Sequence, residues 1–348
     1  MVNMTKLVLI LAIGVIAQAA DITVGTATAR PGHKATGYIA VPAGADAATN
    51  LPVIVINGAR PGPQLALIAG VHGTEYASIL ALTKLPASVD PAALSGSLVI
   101  LPLLNVASFE QKVVHRNPVD NKAVGGYPGK ADGTQSERIA FAVYNQVIEK
   151  CDHLIDYHGG DLDENLHPYS YFTKTDHPKL DTMTREMLLA FGLRTIIVKP
   201  ARGRGLDTTA LNLGKASITV EAGHAGTAEA DDLGVLIDGT LNVMRYLKML
   251  PGAVTLIDHP TWVRQFTVLK GEQDGIFYPQ VGPEAYVTKG TKIGYVTNYF
   301  GEKTLDVIAP VTGIVLYIDA VPTMKKGDNI GYIGEIGEDP MMTGGTPH

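Results

Sequence analysis

Short aliphatic segments alternate with helical segments between residues 51 and 250, and this alternation constrains the fold most strongly. Each aliphatic segment has the length of a strand, and the polar and apolar residues between them recur with helical spacing. The predicted strands are 51–57, 65–70, 97–105, 152–157, 195–199 and 216–221, and the predicted helices are 74–85, 136–150, 182–191 and 229–250. The pattern predicts an α/β fold, with a central sheet flanked by helices and a site at the carboxyl ends of its strands.

The pattern changes near Pro251. From Val254 onwards, short alternating strands are separated by Gly, Pro and Asp turns, and no helical spacing recurs. We therefore predict an α/β domain over 20–250 and a smaller all-β barrel or sandwich over 251–340. The second pattern resembles biotinyl and lipoyl carrier domains, but Met324-Lys325-Lys326 does not match their lysine motif, which favours a structural or substrate-capping role.

The N-terminus has the three parts of a signal peptide. Lys6 precedes an apolar run over 7–16, and Ala17-Gln18-Ala19 follows as a small-x-small cleavage site. We expect residues 1–19 to be removed, the mature protein to be exported to the periplasm or secreted, and no stable membrane association to remain. The alternatives are an uncleaved anchor and a buried first strand.

Composition excludes several classes of partner. The net charge is −6, and no cluster of lysine and arginine occurs, which argues against nucleic acid and anionic membranes. The single cysteine, Cys151, excludes an intrachain disulfide and a cysteine-based metal site. The sequence leaves a homo-oligomer open.

Three residues have the types and positions of metal ligands. His72 stands three residues before Glu75 on a predicted strand-to-helix turn, so both side chains can reach one cation. His158 follows a predicted strand, and the glycines after it would let a metal and a substrate approach the backbone. Asp156 lies on the same strand face as His158 and could orient the His158 ring. The alternative is a strand-end histidine bonded to an aspartate. For the other histidines considered, surface or core roles are favoured: His115, His153, His167, His177 and His259.

Two further residues fit the needs of a metal-dependent hydrolase. Glu221 ends a strand and precedes small residues, where a carboxylate is costly in a core but useful in a cleft as a general base. The alternative interpretation of Glu221 is a solvated glutamate at the end of a strand. Arg116 lies in the long segment 106–135, and its guanidinium could polarise a carbonyl.

His72-Gly-Thr-Glu75, the distant Asp-Tyr-His158-Gly-Gly-Asp and Val-Glu221-Ala-Gly together resemble the succinylglutamate desuccinylase/aspartoacylase family of zinc carboxypeptidase-like hydrolases. The likeness covers about 21–250, and the β-rich tail is similar to the family's C-terminal domain. It implies a mixed central sheet and one Zn²⁺ per chain, bound by the two histidines and Glu75. It also implies Glu221 as general base and then acid, Arg116 as the group that polarises the amide carbonyl, and hydrolysis of a small N-acylated amino acid or amine.

One segment departs from that family. Members usually carry an Asn-Arg pair before an aromatic-Pro-Gly sequence, and the pair clamps a substrate carboxylate. Here Tyr127-Pro-Gly keeps the aromatic end, but Val124 and Gly125 occupy the places of the pair. Lysine does not reproduce a bidentate fork, so acyl-aspartate and acyl-glutamate are expected to be poor substrates. The candidate substrate-binding residues that remain are Lys122, Tyr127, Arg202 and Arg204.

Two other functions stay open from the sequence. An exported zinc carboxypeptidase could act on peptides or cell-wall fragments, and a binding protein could keep the zinc site without turnover. A free carboxylate at Glu221 argues against the binding protein, because a structural zinc needs none there. The C-terminal β domain resembles one that narrows the cleft in the deacylases and favours small substrates, which argues against the carboxypeptidase.

Overall fold

The computed structural model describes residues 20–341, so the predicted signal peptide at 1–19 lies outside the described residues. Nineteen strands and six α-helices occur in the described part. The strands are β1 Ile22–Val24, β2 Ala27–Ala29, β3 His33–Val41, β4 Thr49–Asn57, β5 Arg60–Ala69, β6 Ser95–Leu101, β7 His153–His158, β8 Glu164–Leu166, β9 Tyr169–Lys174, β10 Thr195–Pro200, β11 Ala216–Glu221, β12 Thr261–Lys270, β13 Gly275–Pro279, β14 Tyr286–Val287, β15 Lys292–Thr297, β16 Lys303–Ile308, β17 Gly313–Asp319, β18 Thr323–Met324 and β19 Asn329–Gly337. The helices are α1 Tyr76–Lys84, α2 Val106–Gln111, α3 Gln135–Val143, α4 Pro178–Phe191, α5 Leu206–Asn212 and α6 Ala230–Tyr246.

One large mixed sheet organises the chain. Its strands run in the order β14, β17, β19, β12, β10, β9, β11, β7, β5, β6, β4 and β3, with β8 added beside β17. The strands β6, β5, β7 and β11 are mutually parallel, whereas β9 is antiparallel to β11. The predicted mixed central sheet flanked by helices is confirmed.

Apolar residues cover both faces of this sheet. On one face, α1, α4 and α6 pack over a core that includes Leu67, Ile155 and Ile218. On the other face, α3 and α5 pack over a core that includes Ile68 and Leu154. Because both faces are covered, the central strands are continuous aliphatic runs rather than alternating ones.

The predicted C-terminal strand-rich region is also confirmed. Its apolar core is built from residues between Leu269 and Ile333. A separate four-stranded sheet forms in the order β16, β15, β13 and β18. The region is nevertheless continuous with the large sheet, because β12 pairs in parallel with β10 through Thr195–Ile197 and Thr261–Val263. The large sheet therefore continues across residue 250, and Trp262 joins the apolar core that α1, α4 and α6 cover.

The start of α1 differs from the prediction. The sequence predicts a helix from residue 74, but the helix begins at Tyr76, and Glu75 occupies the N-cap position without a side-chain capping hydrogen bond. The physical reason is that the Glu75 carboxylate turns instead toward His72 and His158. No helix among residues 20–341 is long and apolar enough to cross a membrane.

Candidate metal centre and cleft

Three neighbouring parallel strands bring the predicted metal ligands to one place. His72 follows β5, His158 is the last residue of β7, and β5 pairs in parallel with β7. Glu221 is the last residue of β11, and it is paired directly with His158. The carboxyl ends of parallel strands meet at one edge of a sheet, so residues distant in sequence converge there.

The ligand atoms of His72, Glu75 and His158 lie within 4.8 Å of one another. His72 Nδ1 is 2.6 Å from Glu75 Oε1, and His158 Nδ1 is 3.0 Å from Glu75 Oε2. The carboxylate therefore stands between the two imidazoles. Two histidines and one glutamate are the ligand set of one class of catalytic zinc site, which keeps a position open for water or substrate.

The electrostatics of this triad favour a cation. Burial raises the pKa of Glu75, but His72 and His158 outweigh burial and bring it to about 2. Glu75 Oε2 is buried and makes no hydrogen bond, although an imidazole nitrogen lies close to it. A buried anionic oxygen without a hydrogen bond is costly. A metal ion would remove that cost, so the residues present fit a bound divalent cation.

Asp156 contacts the far side of the His158 ring. Its Oδ1 lies 3.3 Å from His158 Nε2. Burial alone would lower the pKa of His158. The charges of Glu75 and Asp156 outweigh burial and raise this pKa well above the ordinary histidine value. A carboxylate behind a metal-binding histidine fixes the orientation of the ring.

Glu221 lines the same cleft as His72, Glu75 and His158, but it is not one of the three residues of that triad. Burial raises its pKa well above the ordinary value, and the nearby acids Glu75 and Glu164 add to this effect, while His158 opposes it. A partly buried carboxylate beside a metal site is the arrangement expected of a general base.

The cleft has a volume of about 560 Å³. Its floor comes from the central sheet, and the C-terminal strands supply part of its wall. Phe266, Tyr317 and Tyr332 stand on that wall. The cavity therefore has the size of a small-molecule site. The remaining residues that line it are His72, Glu75, His115, Asp156, His158, Glu164, Leu166, Tyr169, Tyr171, Lys199, Gly205, Asp207, Thr219 and Glu221.

The glycines after His158 have a different role from the expected one. A Cβ at Gly159 would lie 2.2 Å from the Ala222 carbonyl oxygen, and one at Gly160 would lie 2.8 Å from the Gly223 carbonyl oxygen. These glycines let the segments after β7 and β11 approach each other. The expectation that they make room for a metal and a substrate is wrong, because backbone fills that space.

His115 lies at the cleft, and sequence reasoning missed it. Its ring centroid is 4.9 Å from that of His72, and its Nε2 is 3.6 Å from Asp161 Oδ2. The backbone of His115 is left-handed, with φ of 57°. A single histidine in a long loop carries no periodic signal, so nothing in the sequence placed it here.

Arg116 is not among the residues that line the cleft. It is exposed, and its guanidinium donates a hydrogen bond of 2.9 Å to the Asn121 carbonyl. The structure therefore does not bring Arg116 together with the triad and Glu221. The sequence could not show this, because it depends on how the loop turns after His115.

The four candidate substrate-binding residues also lie outside this cleft. Lys122 pairs with Glu137 at 3.3 Å, and both line a separate cavity beside Val124, Gly125 and Arg204. Arg204 donates a hydrogen bond of 2.7 Å to the Tyr127 carbonyl. The Tyr127 ring is buried, its hydroxyl has no hydrogen-bond partner, and burial and then the Asp156 charge raise its pKa. Arg202 lines a third cavity beside Pro200.

The catalytic-domain model of the succinylglutamate desuccinylase/aspartoacylase family matches residues 61–247. One curated relative, the N-alpha-acetyl-L-2,4-diaminobutyric acid deacetylase of Halomonas elongata, is 24% identical over 315 residues. That alignment covers 87% of this chain and 92% of the relative.

Solved structures share the fold. A succinylglutamate desuccinylase from a Silicibacter species superposes with a TM-score of 0.80 at 22% identity, over 87% of this chain and 95% of that chain. The ectoine utilization protein EutE (DoeB) from Ruegeria pomeroyi, in a product-bound form, has a TM-score of 0.79 at 23% identity, over 86% of this chain and 95% of that chain. These similarities extend through the C-terminal strands as well as the central sheet.

Proposed function

Because this chain belongs to the succinylglutamate desuccinylase/aspartoacylase family, we propose that it is a zinc-dependent hydrolase that cleaves the amide bond of a small N-acylated amino acid or amine. One observation carries the proposal. His72, Glu75 and His158 converge on one point, and Glu221 faces the same cleft without belonging to the triad.

The donor set favours zinc among divalent cations. Two imidazoles and one carboxylate suit zinc, whereas calcium and magnesium prefer sites made of oxygen ligands. Asp156 would hold the His158 ring in the orientation that a metal needs. Bound by these residues, zinc supplies a Lewis acid that polarises an amide carbonyl and makes water more acidic.

Glu221 performs the proton transfers in this proposal. Its carboxylate accepts a proton from the attacking water, and the resulting carboxylic acid gives that proton to the leaving nitrogen. The pairing of Glu221 with His158 keeps the carboxylate beside the metal ligands. The products are a carboxylic acid and a free amine.

The size of the substrate follows from the wall of the cleft. The cavity, whose wall includes Phe266, Tyr317 and Tyr332, has a volume of about 560 Å³, which suits a small molecule better than a polypeptide. The relative from Halomonas elongata is named as a deacetylase of an N-acetylated amino acid. That name supports an N-acyl amino acid or amine as the substrate class here.

The experiment is an amide-hydrolysis screen of the zinc-loaded protein. N-acetylated and N-succinylated amino acids, dipeptides and acylated diamines are incubated with the protein, and the free amine and the released acid are both quantified. The proposal expects equimolar amine and acid from at least one N-acylated compound, with no release after chelation of the metal. Cleavage of the dipeptides alone would instead identify a peptidase.

We also propose that the protein is exported. The apolar run at 7–16 and the Ala-Gln-Ala sequence at 17–19 carry this proposal. Expression of the full chain and N-terminal sequencing of the purified product test it. Export predicts a first residue at Ala20 or Asp21 in the extracytoplasmic fraction, whereas an intact Met1 in the cytoplasmic fraction would contradict it.

A further inference from the structure

The cleft carries an excess of acidic groups. Five of the side chains that line it are carboxylic acids: Glu75, Asp156, Glu164, Asp207 and Glu221. Among residues 20–341, Lys199 is the one lysine or arginine on its lining. Burial and the neighbouring acids raise the pKa of Glu164 to about 7, so a cation beside it would favour its charged form. An acidic cleft concentrates cations and disfavours anions.

Most of these carboxylates already have a defined partner. Asp207 Oδ2 lies 2.9 Å from Lys199 Nζ, and Asp156 faces His158. Glu75 belongs to the triad, and Glu221 is the proposed base. Glu164 is left over, because within the described part of the chain it forms no ion pair with a lysine or an arginine. The nearest imidazole nitrogen is His115 Nε2, which is 3.9 Å from Glu164 Oε1.

Asp161 is a second acid close to His115. Asp161 is fully buried, and its Oδ2 makes no hydrogen bond. That oxygen lies 3.6 Å from the same His115 Nε2. The carboxylates of Asp161 and Glu164 therefore lie beside the same His115 nitrogen, and of the two, Glu164 lines the cleft whereas Asp161 stands behind it.

Aromatic rings border this acidic side. The centroids of Tyr317 and Tyr332 are 4.8 Å apart, and Phe266 lies 4.9 Å from Tyr332. After burial, the charge of Glu164 is the next cause that raises the pKa of Tyr317 and Tyr332, so this carboxylate acts on both rings. Faces of aromatic rings together with a carboxylate form the environment that attracts organic cations.

We propose that Glu164 and the aromatic wall of Phe266, Tyr317 and Tyr332 bind a positively charged group of the substrate. The substrate class is then an N-acylated amine with a second, cationic nitrogen, such as an ammonium or guanidinium group. The inference rests on the proposed hydrolase function, because it assigns the other end of the same substrate. The acyl amide lies at the triad, and the cation lies against the C-terminal strands.

The test is a matched series of acetamides that differ only in the terminal charge. N-(4-aminobutyl)acetamide is cationic, N-butylacetamide is neutral, and N-acetyl-4-aminobutanoate is anionic. Steady-state hydrolysis by the zinc-loaded protein should give the highest kcat/KM for the cation and the lowest for the anion. The advantage of the cation over the neutral amide should be about 10- to 100-fold and should lie mainly in KM.

Three variants separate the subsite from general electrostatics. Glu164→Gln removes the charge but keeps an oxygen that can accept from the Asp161 backbone N–H, which donates to Glu164 Oε2 at 3.1 Å in the wild type. This variant should reduce the ratio of kcat/KM for the cationic amide to that for the neutral amide about 10- to 100-fold. Asp163→Asn removes the same charge one residue away, where the side chain does not line the cleft. Because the charge of Asp163 also acts on Glu164, this variant should lower the cation/neutral ratio of kcat/KM, but by less than Glu164→Gln does. Phe266→Leu, on a half-exposed residue, should reduce the ratio about two- to fivefold.

A direct binding measurement makes the two proposals separable. Calorimetric titration with 1,4-diaminobutane should show binding to the zinc-loaded protein and weaker binding to Glu164→Gln. Equal kcat/KM for the cationic and neutral amides would overturn this inference and leave the hydrolase intact. Diamine binding without hydrolysis of any amide would support the cation subsite and overturn the hydrolase. No diamine binding to a protein that cleaves the neutral amide would overturn the subsite.

Discussion

His158 and Glu221 are direct partners across the parallel strands β7 and β11, and each is the last residue of its strand. The register of two rigid strands therefore sets the position of the proposed base relative to a proposed metal ligand. A one-residue slip would turn one of the two side chains to the other face of the sheet. The relationship explains how residues far apart in the chain form one centre.

Replacement of a proposed ligand should remove the metal. His158→Ala deletes one imidazole of the triad, and the two ligands that remain are too few for a tight zinc site. We expect about one zinc per wild-type chain and far less in the variant, measured by mass spectrometry of the purified proteins. His177→Ala, on an exposed histidine away from the cleft, is the control and should keep its zinc. Equal zinc in His158→Ala and wild type would remove His158 from the site.

Asp156→Asn tests the support behind His158. Asparagine has the same shape, but it loses the charge that lies 3.3 Å from His158 Nε2. Partners of this kind are typically worth about 10- to 100-fold in metal affinity. Competition with a chromophoric chelator should therefore show zinc affinity lowered by that factor. Unchanged affinity would mean that backbone and packing alone orient the ring.

Gly159→Ala tests the close approach of the two strand ends. Because the added Cβ would lie 2.2 Å from the Ala222 carbonyl oxygen, the segments after β7 and β11 must separate. We expect a loss of about 1–3 kcal/mol in the free energy of unfolding, measured by urea denaturation, together with reduced activity. Gly282→Ala, where no atom lies within 4 Å of the added Cβ, is the matched control. A loss of equal size in both variants would contradict the contact.

Asp319 should make stability depend on pH. Burial raises its pKa from 3.8 to about 6 in the folded protein, so the folded state binds this proton more tightly than the unfolded state. The resulting stabilisation is complete below about pH 4 and is lost as pH rises through about 6. Asp319→Asn should therefore be more stable than wild type at pH 7.5, and this advantage should be absent at pH 4. Denaturation curves at both pH values check this, and an equal difference at both would contradict it.

The sequence predicted the regular part of the site well. The strand 216–221 agrees with β11, and Glu221 ends it as expected. Spacing alone brought out His72 and Glu75, because both lie on one short turn between a strand and a helix. Local hydrophobic runs and local spacing determine these features, so they are visible without the fold.

Irregular backbone limited what the sequence could predict about the rest of the site. His115 faces the cleft and Arg116 faces away because the loop turns sharply there, with a left-handed residue at 115 and a hydrogen bond of 2.7 Å from the Arg116 amide to the Val114 carbonyl. The packing of Gly159 against Ala222 is likewise a contact between distant segments. Conformations of this kind are set by tertiary contacts, and no periodic pattern encodes them.

The most direct test of the account is the zinc content and amide-hydrolysis rate of Glu221→Gln beside wild type. Glutamine preserves the size of the side chain but cannot accept the proton from water. We predict equal zinc in both proteins and a loss of about 10²- to 10⁴-fold in kcat for the best N-acyl substrate of the wild type. A variant that retains both its zinc and the wild-type rate would contradict the central claim that Glu221 is the base of a zinc-dependent amide hydrolase.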